Sequence, residues 1–317
     1  MTVLDPLIPI PASPQAGIIP SRAGPVARPP QWVRSLFGKK SGIESLTAPA
    51  GLAAGVLESE SFTFAEVRVA GAAGMGDGGF ERAARDAYSL VANALAGRSA
   101  RHPVRFWNYL PDIRRPAAGG LDRYMVFNAG RFAACSEWLG GPDRFGRLLA
   151  TASAVGWAGP DLVVHALAAR EPGRPVENPR QVPAYRYSQR FGPRPPCFAR
   201  ATVLAGGRGT AHRPTVLVGG TASIRGEESM FPGDVAAQVR ETIENLCSLA
   251  RAADPTCDPS HFTDLRVYHP RDADRPTIAA LVAPEFPNVA AVEYVRADLC
   301  RPELLVEIEG VAGGSAP

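Results

Sequence analysis

Apolar positions along the chain fall into two spacings. Alternation predicts a strand at Phe62 to Ala70 (FTFAEVRVA), and Val104 to Leu110 (VRFWNYL), Phe198 to Leu204, Thr215 to Ile224 and Asp264 to Tyr268 read as strands. The shorter apolar runs Ser153 to Gly156, Leu162 to Ala168 and Thr277 to Val282 read as strands too. Spacings of three and four predict helices. At Phe80 to Ala96, Ala84, Ala87, Leu90, Val91 and Leu95 share a face, and Gly97 suits the C-cap. Leu121 to Trp138 reads as a second helix. At Asp234 to Ala253, Val235, Val239, Ile243, Leu246 and Leu249 form one stripe behind Asp234 as N-cap.

The pattern closes on Val289 to Gly310 (VAAVEYVRADLCRPELLVEIEG), where runs at Ala291 to Val295 and Leu304 to Ile308 flank a polar connection. That predicts a strand–loop–strand resembling a hairpin. In the second run Glu307 and Glu309 alternate with Val306 and Ile308, so one face is apolar and the other carries two carboxyls. A carboxylate buried without a partner is expensive. Either this is a solvated edge face, or one of the pair is a general acid whose pKa its surroundings raise.

The order strand–helix–strand–helix–strand occurs twice. Setting DLVVHALAA (161–169) against ELLVEIEGV (303–311) brings the helix at 80–96 onto that at 234–253, and VRFWNYLPDI onto LRVYHPRDAD. Two copies of one βαβ-containing unit are expected. Glu307 then corresponds to His165 and Cys300 to Ala158, so chemistry belongs to the second copy or between the two. The expected boundaries are a proline-rich arm at 1–40, a degenerate N-terminal unit at 41–185 and a catalytic unit at 186–317. Residues 1–30 hold eight prolines, and Trp32, Val33, Leu36 and Phe37 have the apolar mass to anchor that arm. Glu171 to Pro196 is too polar for a core element, and so long a loop is usually functional or a linker.

Composition narrows the classes. The chain has 317 residues, 45% of them hydrophobic and 21% charged, with a net charge of +3. That excess is too small to argue for nucleic acid or a membrane, and it leaves room for a local basic site serving a small anion. Five scattered cysteines (135, 197, 247, 257, 300) with no CxxC point to reduced thiols in a cytoplasm. The five histidines show no metal-ligand spacing. Asp5 and the early prolines do not resemble a signal peptide. Gly71 to Gly79 is glycine-rich but lacks the phosphate-loop pattern.

The second half resembles the RidA/YjgF family of small α+β imine hydrolases. The resemblance lies in GGTAS, QVRETIENLCSLA, DLRVYHPRDAD and LLVEIEGVA, over roughly residues 198 to 313. The arginine which that family carries ahead of the AVEY strand is replaced here by Pro287-Asn288-Val289-Ala290-Ala291. The chain as a whole is more similar to the chorismatases, chorismate-cleaving enzymes of secondary metabolism. VRFWNYLPDI, LDRYMVFNAGR, SAVG, ENPRQVPAYRYSQRFGPRPPCFARA, GGTASIRGEES and LCRPELLVEIEG carry this likeness over about residues 100 to 312.

The chorismatase resemblance implies an α+β fold of two RidA/YjgF-like (chorismate-mutase-like) units with a single active site. It implies pyruvate release from chorismate without metal or organic cofactor. Glu307 is the matching acid, poised to protonate the enolpyruvyl methylene, while Glu309 is expected to be exposed or paired with an arginine. Arginine suits the two substrate carboxylates. The candidates are Arg123, Arg131, Arg186, Arg194 and Arg200, of which Arg131, Arg194 and Arg200 are kept as substrate-binding, with Arg186 and Arg190 read as surface charges. Tyr124 and Tyr185 are candidates to hydrogen-bond a carboxylate or the 4-hydroxyl, and Gly219 and Gly220 to leave room for the ring. The 3-hydroxybenzoate-forming members carry a cysteine seven residues before the acid, the spacing of Cys300 and Glu307; an inert buried thiol is the plain alternative for Cys300. The expected reaction gives 3-hydroxybenzoate and pyruvate through an epoxide. The alternatives are hydrolysis to 3,4-dihydroxycyclohexa-1,5-diene carboxylate, a RidA-like imine deaminase, and a non-catalytic binder of an aromatic acid. Two fused units in one chain favour a monomer.

Overall fold

The alternating stretches pair into two six-stranded sheets in the computed structural model, which describes residues 27–38, 43–205 and 213–313. The first half runs through helix α1 (Gln31–Ser35), β1 (Glu44–Leu46), β2 (Leu52–Glu58), β3 (Phe62–Val69), helix α2 (Asp77–Ala96), β4 (His102–Pro111), helix α3 (Arg123–Leu139), the short α4 (Phe145–Leu148), β5 (Thr151–Trp157) and β6 (Leu162–Ala169). The second half runs through β7 (Arg174–Val176), β8 (Ala201–Leu204), β9 (Thr215–Ala222), the small hairpin β10 (Ile224–Arg225) and β11 (Glu228–Ser229), helix α5 (Val235–Ala253), β12 (Phe262–His269), helix α6 (Arg275–Val282), β13 (Val292–Arg296) and β14 (Glu307–Gly313).

The two sheets have one topology. The first is ordered β1-β2-β3-β6-β4-β5, and the second, read from its first strand, β7-β8-β9-β14-β12-β13. In each, a helical crossover joins the single parallel pair, β4 with β5 and β12 with β13. The register agrees with the repeat read from sequence: Trp107 lies opposite His165 and Tyr268 opposite Glu307. The mixed α+β fold of two like units is therefore present.

Helices seal one face of each sheet. Phe80, Ala84 and Val91 of α2 pack on Val164 and Ala166, and Val239 and Leu246 of α5 pack on Val267 and Ile308. Asp122 and Asp234 cap α3 and α5 by accepting from the backbone N–H of Met125 and Ala237. The remaining faces turn toward each other, with Trp107, Val163 and Leu167 meeting Leu217, Tyr268 and Leu299. Trp32 and Phe37 fill the end of this layer, with ring centroids 6.0 Å from Trp107 and 6.3 Å from Phe64. The anchoring of the arm thus follows the sequence, while its expected extended course over residues 1–26 lies outside the described residues. At Gly219, where β9 lies against β5, a Cβ would meet Thr151 Oγ1 and the Ala152 carbonyl of the first sheet and the Arg200 carbonyl of its own.

Some expectations need correction. Thr277 to Val282 is helical, within α6, because Ile278 and Val282, four apart, are its buried pair and Pro276 sits in its first turn. Val289 to Gly310 is not a hairpin. β13 and β14 both pair with β12, one parallel and one antiparallel, so β12 lies between them. The second run also starts later than expected, since β14 begins at Glu307. β7, inside the proline-rich stretch, pairs with β8 and belongs to the second sheet. A three-residue strand inside a proline-rich stretch leaves too little periodicity to read.

Candidate active site

The junction of the two units encloses a cavity of about 220 Å³. The first unit supplies part of α3 and the edge strand β5. The second supplies the start of β8, the end of β9, and the segment from Cys300 into β14. The 187–191 segment covers one side with Tyr187 and Phe191.

Glu307 enters this cavity from the first position of β14 and is 5% exposed. No hydrogen bond or ion pair to its carboxyl is found among the described residues. Its cross-strand partner on β9 is Ala222, and two residues earlier, at Gly220, a Cβ would overlap the Glu307 carboxyl. Burial, and next the charge of Glu309, push the Glu307 pKa up to about 8, against the opposing pull of Arg105 and Arg200. Glu309, on the same strand face and equally buried, is treated oppositely. Its carboxylate accepts from Arg105 Nη2 at 2.7 Å, Trp107 Nε1 at 2.8 Å and the Ser153 hydroxyl at 2.5 Å. Of the two fates expected for Glu309, pairing with an arginine is the one found, and exposure is not.

Three guanidinium groups line the cavity without a carboxylate partner among the described ion pairs. Arg131 is fully buried on α3. Its Nη2 donates to Asn128 Oδ1 at 2.8 Å, while Nε and Nη1 have no hydrogen-bond partner. It lies between the rings of Phe127 and Phe198, at 5.2 and 5.6 Å. Arg200, 4% exposed, donates from Nη2 to the Tyr187 hydroxyl at 2.6 Å, and its Nε is unpartnered. Buried cations with spare N–H groups are costly to keep unless an anion completes them. A third, Arg301, donates to the Glu227 carbonyl at 2.8 Å and stacks 4.1 Å from the centre of Phe191.

Cys300 and Tyr124 also line the cavity. Burial, then the neighbouring Glu307, push the Cys300 thiol up to about 12, so it is a protonated thiol and not a thiolate. The Tyr124 phenol is likewise raised, chiefly by burial.

Of the residues singled out from sequence, Glu307, Cys300, Tyr124, Arg131, Arg200 and Gly220 come together here. Three do not line the cavity. Tyr185 turns toward Gly146, Arg194 lies exposed over Phe132, and Gly219 serves the contact between sheets. Arg123 is buried, but it spends its donors on the carbonyls of Ala72, Ala73 and Met75. Arg186 is exposed against the Tyr185 ring. Arg190, read as a surface charge, sits at the rim and pairs with Glu227 and Glu228. Sequence reasoning missed Tyr187, Arg301 and the Arg105–Trp107–Ser153 group. Tyr187 stood two residues past Tyr185 in the same motif. The Arg105–Trp107–Ser153 group carries no local signal because its partner Glu309 lies in the opposite unit, and Arg301 carries none because its partners Glu227 and Ser229 are distant along the chain in its own unit. Among the described residues no cluster of three or more His, Cys, Asp or Glu is arranged to hold a metal, and no helix is long and apolar enough to cross a membrane.

The two-unit α+β fold has known counterparts. Residues 47–168 match the family model described as chorismatase FkbO/Hyg5-like, N-terminal. A 3-hydroxybenzoate synthase from Streptomyces hygroscopicus is 35% identical over 242 residues, covering 74% of this chain and 70% of the relative. A chorismatase from Streptomyces rapamycinicus is 35% identical over 219 residues, covering 66% of this chain and 63% of the relative. A crystal structure of chorismatase superposes with a TM-score of 0.73 at 28% identity, over 87% of this chain and 80% of that one. The chain belongs to the chorismatase family, and it is an enzyme of the chorismatase type.

Proposed function

We propose that this enzyme converts chorismate to 3-hydroxybenzoate and pyruvate, with Glu307 as the proton donor. The reading is carried by one observation: a buried carboxyl with no donor of its own faces a cavity that is also lined by Arg131 and Arg200, two guanidinium groups with no carboxylate partner among the described ion pairs. Chorismate brings two carboxylates for those cations and an enol ether for the acid. The likeness to a 3-hydroxybenzoate synthase supports the same choice of product.

The chemistry follows from the groups. Arg131 and Arg200 hold the carboxylates by charge-assisted hydrogen bonds. With a pKa near 8, Glu307 still carries its proton at neutral pH and delivers it to the enolpyruvyl methylene carbon. The resulting oxocarbenium makes pyruvate a good leaving group. The substrate's 4-hydroxyl oxygen then attacks ring carbon 3, the ring C–O bond breaks, pyruvate leaves and an epoxide remains. The hydroxyl proton released in this step replaces the one given by Glu307. Ring opening with loss of the proton on the ring yields 3-hydroxybenzoate, and no water is consumed. Cys300, a neutral thiol beside Glu307, serves as hydrogen-bond donor to the epoxide oxygen during opening.

Incubation with chorismate followed by chromatography tests the proposal. The expected products are equimolar 3-hydroxybenzoate and pyruvate. A dihydrodiol as sole product assigns the enzyme to the hydrolytic branch. Chorismate left intact while an imino acid is consumed overturns the reading. Glu307→Gln is expected to lower kcat by roughly 10²- to 10⁴-fold, the usual worth of a general acid.

A further inference from the structure

The two carboxyls of β14 are treated unequally by the rest of the chain. Every donor to Glu309 comes from the first unit: Arg105 and Trp107 on β4, Ser153 on β5. Arg105 is itself fixed, donating to the Phe106 carbonyl at 2.9 Å and to Ser153 Oγ at 2.6 Å, with its guanidinium 4.8 Å from the centre of the Trp107 ring. The arrangement is not the default of the sheet. Arg266 is the cross-strand neighbour of Glu309, yet its side chain pairs with Glu293 instead. Glu307 receives no donor at all among the described residues.

Two carboxyls on adjacent same-face positions of a buried strand resist double ionisation. Resting on the reading of Glu307 as the proton donor, we propose that Glu309 is a positioning residue for that acid: clamped as the anion by Arg105, Trp107 and Ser153, it keeps its neighbour in the protonated form. The degenerate unit thereby takes part in the chemistry without touching the reacting atoms. Arg105 and Arg200 pull against Glu309; Asp122, Arg131, Arg190, Arg301 and Glu303 also line the cavity that Glu307 enters, and Tyr124, Cys300 and the cross-strand Tyr268 are neutral over the working range.

The test is kcat/KM for pyruvate release from chorismate, measured against pH for the wild type and for Glu309→Gln. The expected result is an alkaline fall displaced toward acid by about one pH unit or more, as loss of a close like charge implies. Activity on the acid side of that fall should stay within about threefold of wild type, since the donor itself is intact. A purely structural role would lower activity evenly at every pH without moving the fall, and that outcome overturns the inference while leaving Glu307 as the donor. Pyruvate absent from the wild-type reaction overturns both. Should Glu309→Gln fail to fold with Arg105 left uncompensated, Arg105→Gln/Glu309→Gln removes both charges. Glu309 shares a strand face with Glu307 two residues away, while Arg105 comes from the facing sheet, so the fall should still move toward acid. An unmoved fall in the double variant counts against the inference equally.

Discussion

Gly220 of β9 and Glu307 of β14 share one space: the missing side chain of the first is where the carboxyl of the second lies. The register shifts in β9 around this point, between the partners of Ile308 and Gly310, which turns the strand so that the glycine faces the acid. Gly220→Ala is therefore expected to displace the Glu307 carboxyl. A loss of kcat of about 10²-fold or more is expected, as for a catalytic group moved by about an ångström. Steady-state kinetics beside a thermal melt checks this; unchanged kcat would mean the carboxyl has room elsewhere.

Stability should depend on pH through Glu307. Burial raises its folded pKa to about 8 from an ordinary value of 4.5. Between those values the native state holds a proton that the unfolded chain has released. The contribution is complete below the unfolded value and is lost as pH rises through the folded one. Glu307→Gln should flatten the decline in urea midpoint between about pH 5 and pH 8.5. A decline of the same sign from Glu177, raised to about 7 mainly by burial, remains in the variant.

Arg131 separates binding from stability. Replacing its unpartnered guanidinium with Met should raise KM by roughly 10- to 100-fold, the worth of one or two charge-assisted hydrogen bonds. The same change relieves a buried, uncompensated cation, so the melting temperature of the free enzyme should rise, by on the order of 1 kcal/mol in stability. Calorimetry and kinetics on one preparation check both signs. A fall in both would mark Arg131 as a structural residue.

Cys300→Ala should alter the product ratio more than the rate of chorismate consumption. With the thiol near 12, the group lost is a hydrogen-bond donor, whose net worth is about 1 kcal/mol. Chromatography of products at partial conversion gives the ratio directly. An unchanged ratio leaves Cys300 as packing.

The likeness of the two halves was legible in the chain because it rests on local periodicity. The 3.6-residue stripes of α2 and α5, the alternation of β3 and the apolar run of β6 need no partner to be read. The pairing of Glu307 with Cys300 at the end of the chain, and the family motif around them, were equally open to reading. The α6 segment misled because Thr, Ile, Leu and Val in a run of six fit either period.

What the linear order determines on its own is each residue's face and spacing: Glu307 and Glu309 alternate with Val306 and Ile308 and must share one side of β14. Which of the two carboxyls keeps its proton was decided only when the sheets met. Arg105, Trp107 and Ser153 are brought to Glu309 from the other half of the chain, and Arg131 and Arg200 are left lining a cavity without a carboxylate partner among the described ion pairs. Charge and burial act across space at a few ångströms, and contacts between residues some 200 positions apart leave no trace in local pattern.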